Sequence, residues 1–106
     1  MSGNIRKYTT KAKTFCEPKN FTIEYLTLGL TEEAGEVAGK VKRVLRGDFE
    51  QLPVDQLVLE LGDLLWYYCL ILDYLGINIE KVMDKNLNKL NERKQQNKIK
   101  GTGDDR

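Results

Sequence analysis

One segment constrains this chain more than any other. Between residues 54 and 75, Leu57, Leu61, Leu64, Tyr68, Ile71 and Leu75 recur at helical spacing, with Trp66 on the opposite side. The segment therefore reads as one helix that is apolar nearly all round, and such a helix must be covered on every side. Glu60 and Asp63 interrupt it, at depths where charge is seldom buried without a partner. Whatever fold forms must bury this helix and also supply something positive to two of its carboxylates.

The rest of the chain follows the same period. Only Pro18 and Pro53 occur, glycines sit mostly at segment ends, and no window alternates as a half-buried strand does. The expected fold is all-α, a four-helix bundle-like arrangement. A first helix is predicted near residues 5–15, ending before the Glu17-Pro18-Lys19-Asn20 break. A second is predicted over 22–46, with Thr22 as its cap and Leu26, Leu30, Ala34, Val37, Val41 and Val44 as its stripe. Gly47, Asp48 and Pro53 mark the following loop, and Gly76 stops the third helix. The fourth begins at an Asn78 cap and runs past Arg93. With 106 residues and 41% hydrophobic content, the expectation is one domain over 1–106, in which 98–106 reads as a flexible tail.

Composition excludes several classes of chemistry. Histidine is absent, which removes histidine-based triads, the usual histidine-containing zinc sites and the Glu-x-x-His di-iron bundle. Cys16 and Cys69 have neither metal-ligand spacing nor the density of a disulfide scaffold, so a reduced, cytoplasmic protein is expected. The N-terminal residues lack a signal-peptide core, and the longest apolar run, 64–72, is too short to span a bilayer. Net charge is +1, which argues against a nucleic-acid polymer as partner. That sum hides a pattern. Residues 24–84 carry twelve Asp/Glu against five Lys/Arg, while 85–106 carry seven Lys/Arg against three Asp/Glu. An acidic middle and a basic end can meet as a metal pocket and its phosphate-binding groups, or simply as complementary helix faces.

The acidic residues are not scattered. Glu33 and Glu36 on the second helix, and Glu60 and Asp63 on the third, form two i,i+3 pairs with matching offsets from their apolar stripes. Helices packed through those stripes would direct four carboxylates to one place, where each close pair repels by roughly 1 to 4 kcal/mol unless a cation intervenes. A hard, oxygen-seeking ion, Mg²⁺ or Mn²⁺, suits such a site. The plain alternative for the first pair is solvation, with Glu36 paired to Lys40 at i+4.

Glu32-Glu33-x-x-Glu36, twenty-three residues, then Glu60-x-x-Asp63 resembles the signature of the MazG-like all-α nucleoside triphosphate pyrophosphohydrolases, and Gly35 and Gly62 sit as they often do there. The resemblance covers the chain from about Tyr8 onward. It implies that Glu33, Glu36, Glu60 and Asp63 hold magnesium against a bound triphosphate, with Glu32 either helping or merely solvated. The chain is also similar to that family in Asn86-x-x-Lys89-x-x-x-Arg93, which implies phosphate contacts by those three residues. The reaction so implied is hydrolysis of a ribo- or deoxyribonucleoside triphosphate to its monophosphate and pyrophosphate, in a homodimer or homotetramer. Trp66 is expected to be buried against a second copy. Trp66 or Tyr67 stacking on a base is the less common role for such aromatics. Relatives acting on phosphoribosyl-ATP or dUTP use similar carboxylates, and a non-catalytic, metal-binding helical scaffold fits the same residues.

Overall fold

The structure, a computed structural model, describes residues 2–96. Among the described residues there are four α-helices: α1 (Ser2–Lys13), α2 (Ile23–Arg46), α3 (Val54–Leu75) and α4 (Ile79–Gln95). There is no strand among the described residues, and no helix there is long and apolar enough to cross a membrane. The expected tail at 98–106 lies outside the described residues.

Local chemistry sets the ends of these helices. The Thr22 hydroxyl accepts from the Tyr25 backbone N–H at 3.2 Å and opens α2. Gly47 closes it at φ 97°, a left-handed conformation that favours glycine. Gly76 closes α3 in the same way at φ 68°, and the Asn78 side chain accepts from the Glu80 N–H at 2.9 Å to open α4. Helix α1 differs from the 5–15 expectation. It starts at Ser2 and stops at Lys13, leaving Phe15 outside it and 72% exposed, and Pro18–Asn20 form a short 3₁₀ turn.

α2 and α3 form an antiparallel hairpin that holds most of the tertiary contact, and α1 packs across the second half of α3. Ala12, Leu26, Cys69, Leu70 and Leu72 make the buried core. The Trp66 indole N–H donates to the Ala12 carbonyl at 3.0 Å, and Lys13 pairs with Asp73 at 3.0 Å, so α1 is fastened at two points. This corrects one expectation: the side of α3 that carries Trp66 is covered by α1 of the same chain. α4 leans on α1 and barely touches the hairpin. It has no buried residue and so no apolar stripe strong enough to pull it into a closed bundle. The radius of gyration, 16.7 Å against about 13 Å for a compact chain of this size, reflects that open arrangement.

The helix faces are also rotated from the predicted stripes. On α2 the side toward α3 runs through Leu26, Leu30, Glu33, Val37 and Val44, while Ala34 and Val41 are exposed. On α3, Leu61 and Leu75 are half exposed. Apolar pattern alone did not distinguish the face that meets the neighbouring helix from one left open.

Candidate metal centre

Rotating α2 in this way brings Glu33 from the flank onto the face that meets α3. There it joins Glu60 and Asp63. One carboxylate oxygen from each residue lies within 4.8 Å of one from each of the others; Glu33 and Glu60 are half-buried and Asp63 is exposed. Helical repeat explains why the three converge. Glu60 and Asp63 are one turn apart on α3, and Glu33 faces them from the antiparallel helix.

The electrostatics match the geometry. The Glu33 carboxyl is pushed above its ordinary value, first by burial and then by the negative charges of Asp63, Glu60, Glu32 and Glu36. Some acids elsewhere have basic partners: Asp48 pairs with Arg46, Asp73 with Lys13 and Glu17 with Lys19. Among the described residues, no Lys or Arg forms an ion pair with any of the three clustered carboxylates. Three oxygen donors without a cation, close enough to repel, form a set that Mg²⁺ or Mn²⁺ would satisfy. The residues present therefore fit a hard divalent ion.

Not every expected residue joins the cluster. Glu36 and Glu32 are exposed and stand outside the trio, acting on Glu33 through their charge; no Glu36–Lys40 ion pair forms. Asn86, Lys89 and Arg93 ride on α4. Asn86 and Lys89 line a shallow groove with Ile77, Lys81, Val82 and Lys85, away from the trio, and Lys89 and Arg93 both have interactions of their own.

Aromatic residues border the carboxylates: Tyr67 and Trp66 on α3 and Tyr8 on α1. Tyr67, one turn after Asp63, is seated against Gly29 of α2. Its phenol is pushed up to about 12, first by burial, then by Tyr25 through charge and a hydrogen bond, and then by Glu33 and Glu32. It therefore stays protonated at neutral pH. Trp66 meets the Tyr67 ring edge-on at 4.9 Å between centroids. From α1, Tyr8 lies close enough to the site to be raised by burial, then by Cys69 and Asp63. A glycine at position 29, well inside a long helix, was the available signal for the close approach of Tyr67.

The chain is similar to known proteins. The family model described as MazG nucleotide pyrophosphohydrolase domain matches residues 21–97. The Gene 37 protein of Mycobacterium phage L5 is 44% identical over 87 residues, which cover 79% of this chain and 76% of that protein. No solved structure matches the chain significantly.

Proposed function

The chain belongs to the MazG nucleotide pyrophosphohydrolase family, and from that premise we propose that it hydrolyses nucleoside triphosphates, ribo or deoxyribo, to the monophosphate and pyrophosphate with Mg²⁺ as cofactor. The observation that carries this reading is the meeting of Glu33, Glu60 and Asp63 across two helices, with no basic partner among the described residues. Glu36, one turn along from Glu33, is the fourth ligand in this reading, and Glu32 adds to the local negative field.

Bound there, magnesium would polarise the phosphates and offset charge growing on the departing pyrophosphate. The chain's own part is to hold a water in line with the α phosphorus, for which a carboxylate of the cluster accepts the proton as the P–O bond to the bridging oxygen breaks. Tyr67, kept protonated, can donate a hydrogen bond but cannot serve as that base. Asn86, Lys89 and Arg93 are the phosphate contacts of this reading, which requires α4 to close on the hairpin or to come from a second copy, since in the single chain their groove stands apart from the trio.

The functional unit we propose is a homodimer or homotetramer. Ala34, Ala38, Val41 and Leu45 on α2, and Val54, Val58, Leu61 and Leu65 on α3, repeat at i, i+4, i+7 and i+11 on the side of each helix away from the carboxylates, and all eight are exposed. Leu45 reaches 87%. The chain exposes 8109 Å², against about 6,100 Å² expected for a monomeric protein of its mass. A second copy laid on this apolar face would give the hairpin the missing half of a four-helix core.

The test is product identification from a panel of ribo- and deoxyribonucleoside triphosphates, with magnesium and with chelator. Monophosphate and pyrophosphate in equal amounts, only with magnesium, support the reading. Folded protein that turns over none of them contradicts it.

A further inference from the structure

Gly29 and Tyr67 meet one turn away from the carboxylates on both helices: Gly29 precedes Glu33 by four residues, and Tyr67 follows Asp63 by four. Because α2 and α3 run antiparallel, the glycine–tyrosine contact and the carboxylate cluster are neighbouring layers of a single helix interface. The Tyr67 ring occupies the space where a side chain at position 29 would begin. A Cβ there would overlap ring carbons Cδ1, Cε1 and Cζ, and even the farthest of these, Cδ1, would stand 2.6 Å away. Gly35, Gly39 and Gly62, the other glycines inside α2 and α3, have no atom within 4 Å of such a Cβ. Position 29 is thus the one among them where close approach requires glycine. The ring is confined as well, with Trp66 edge-on and Tyr25 tilted against it at 6.4 Å between centroids.

We propose that Tyr67, seated on Gly29, is a positioning residue: the pair fixes the separation of α2 and α3 one turn from the carboxylates and so matches the site to a small divalent cation. The inference rests on the metal-site reading above and deepens it. Mg²⁺ takes oxygens at 2.0–2.1 Å in a near-ideal octahedron, so that opposite ligands stand about 4.2 Å apart, whereas Ca²⁺ accepts about 5 Å in looser geometries. Adjacent ligands on Mg²⁺ stand about 2.9 Å apart, so the trio, whose oxygens lie within 4.8 Å of one another, must draw in around Mg²⁺. A wider helix spacing is therefore lost to magnesium first and to calcium later.

The experiment titrates nucleotide-free full-length protein with Mg²⁺ and, separately, with Ca²⁺, following backbone amide shifts, with circular dichroism to check folding. Gly29→Ala is expected to weaken Mg²⁺ binding about tenfold while Ca²⁺ binding changes much less. Tyr67→Phe keeps the ring and is expected to keep both affinities. Adding Tyr67→Ala to Gly29→Ala removes the collision and is expected to recover part of the Mg²⁺ affinity. If Gly29→Ala fails to fold, Tyr67→Leu, which loosens the contact without adding a Cβ, is expected to lower the Mg²⁺ preference in the same direction. An unchanged Mg²⁺-to-Ca²⁺ ratio in Gly29→Ala, or in Tyr67→Leu where Gly29→Ala does not fold, including an equal loss of both ions, overturns the positioning role and leaves the metal site standing. Wild-type protein that binds neither ion refutes the metal site and the positioning role with it.

Discussion

Glu33 on α2 and Asp63 on α3 bring carboxylate oxygens within 4.8 Å of each other across the helix interface, with Glu60 completing the group. Without a cation this contact is repulsive. Replacing Asp63 with Asn should therefore stabilise the metal-free protein, by about 1 kcal/mol for charges this well solvated. That corresponds to a rise in melting temperature of about 4–8 °C in a domain of this size. The same variant should lose most of the stabilisation that magnesium gives the wild type. Thermal melts with and without chelator read both effects, and a metal-free Asp63→Asn protein less stable than wild type would contradict the account.

The raised Glu33 carboxyl makes a prediction about pH. Its folded-state value lies above the ordinary 4.5, so the folded protein holds this proton more tightly than the unfolded chain does. The stability it contributes is fully present below the unfolded value and is lost as pH rises through the folded one. Urea melts of metal-free protein between about pH 4 and 7 should show that decline above the background of other groups. Glu33→Gln should flatten it, and magnesium should oppose it. A decline equally steep in Glu33→Gln would assign the effect elsewhere.

Trp66 anchors α1 through its hydrogen bond to Ala12. Trp66→Phe keeps a ring but loses that bond, leaving the Ala12 carbonyl only the Phe15 N–H at 3.1 Å, at a cost of about 1 kcal/mol. Because Trp66 is the chain's only tryptophan, its fluorescence in the wild type reports whether α1 is docked. Substituting Ala12 with Glu should shift that emission to the red. Emission unchanged in a folded Ala12→Glu protein would mean that α1 is not what covers the indole.

The exposed stripe on the hairpin tests the assembly. Sedimentation should find the wild type as a dimer or tetramer, and Val58→Lys with Leu61→Lys should shift it to monomer with its helices intact. Wild-type protein that sediments as a monomer at all concentrations would contradict the proposed assembly.

How much of this was legible in the sequence depended on distance along the chain. Thr22, Gly47, Gly76 and Asn78 bound their helices through contacts a few residues away, and the sequence placed all four ends. Glu60 and Asp63 stood out in the sequence because acids that interrupt an apolar helix have few explanations, whereas Glu33 was marked only by its i,i+3 pairing with Glu36 on the flank of α2. Helix rotation was not. Ala34 and Val41 look as apolar as Leu30 and Val37, and only the seating of Tyr67 on Gly29 and of α1 on Trp66 decides which face turns inward. The position of α4 escaped for a related reason: its stripe of Ile79, Val82, Met83 and Leu90 marks an inner side but is too weak to say what it packs on.

The central claim is that this carboxylate site directs water to the α phosphorus. Hydrolysis of a nucleoside triphosphate in ¹⁸O-labelled water with magnesium tests it most directly, with Glu60→Gln as the inactive control. The expected result is one labelled oxygen in the nucleoside monophosphate and none in the pyrophosphate. Label in the pyrophosphate, or release of labelled orthophosphate, would place the attack at another phosphorus and contradict it.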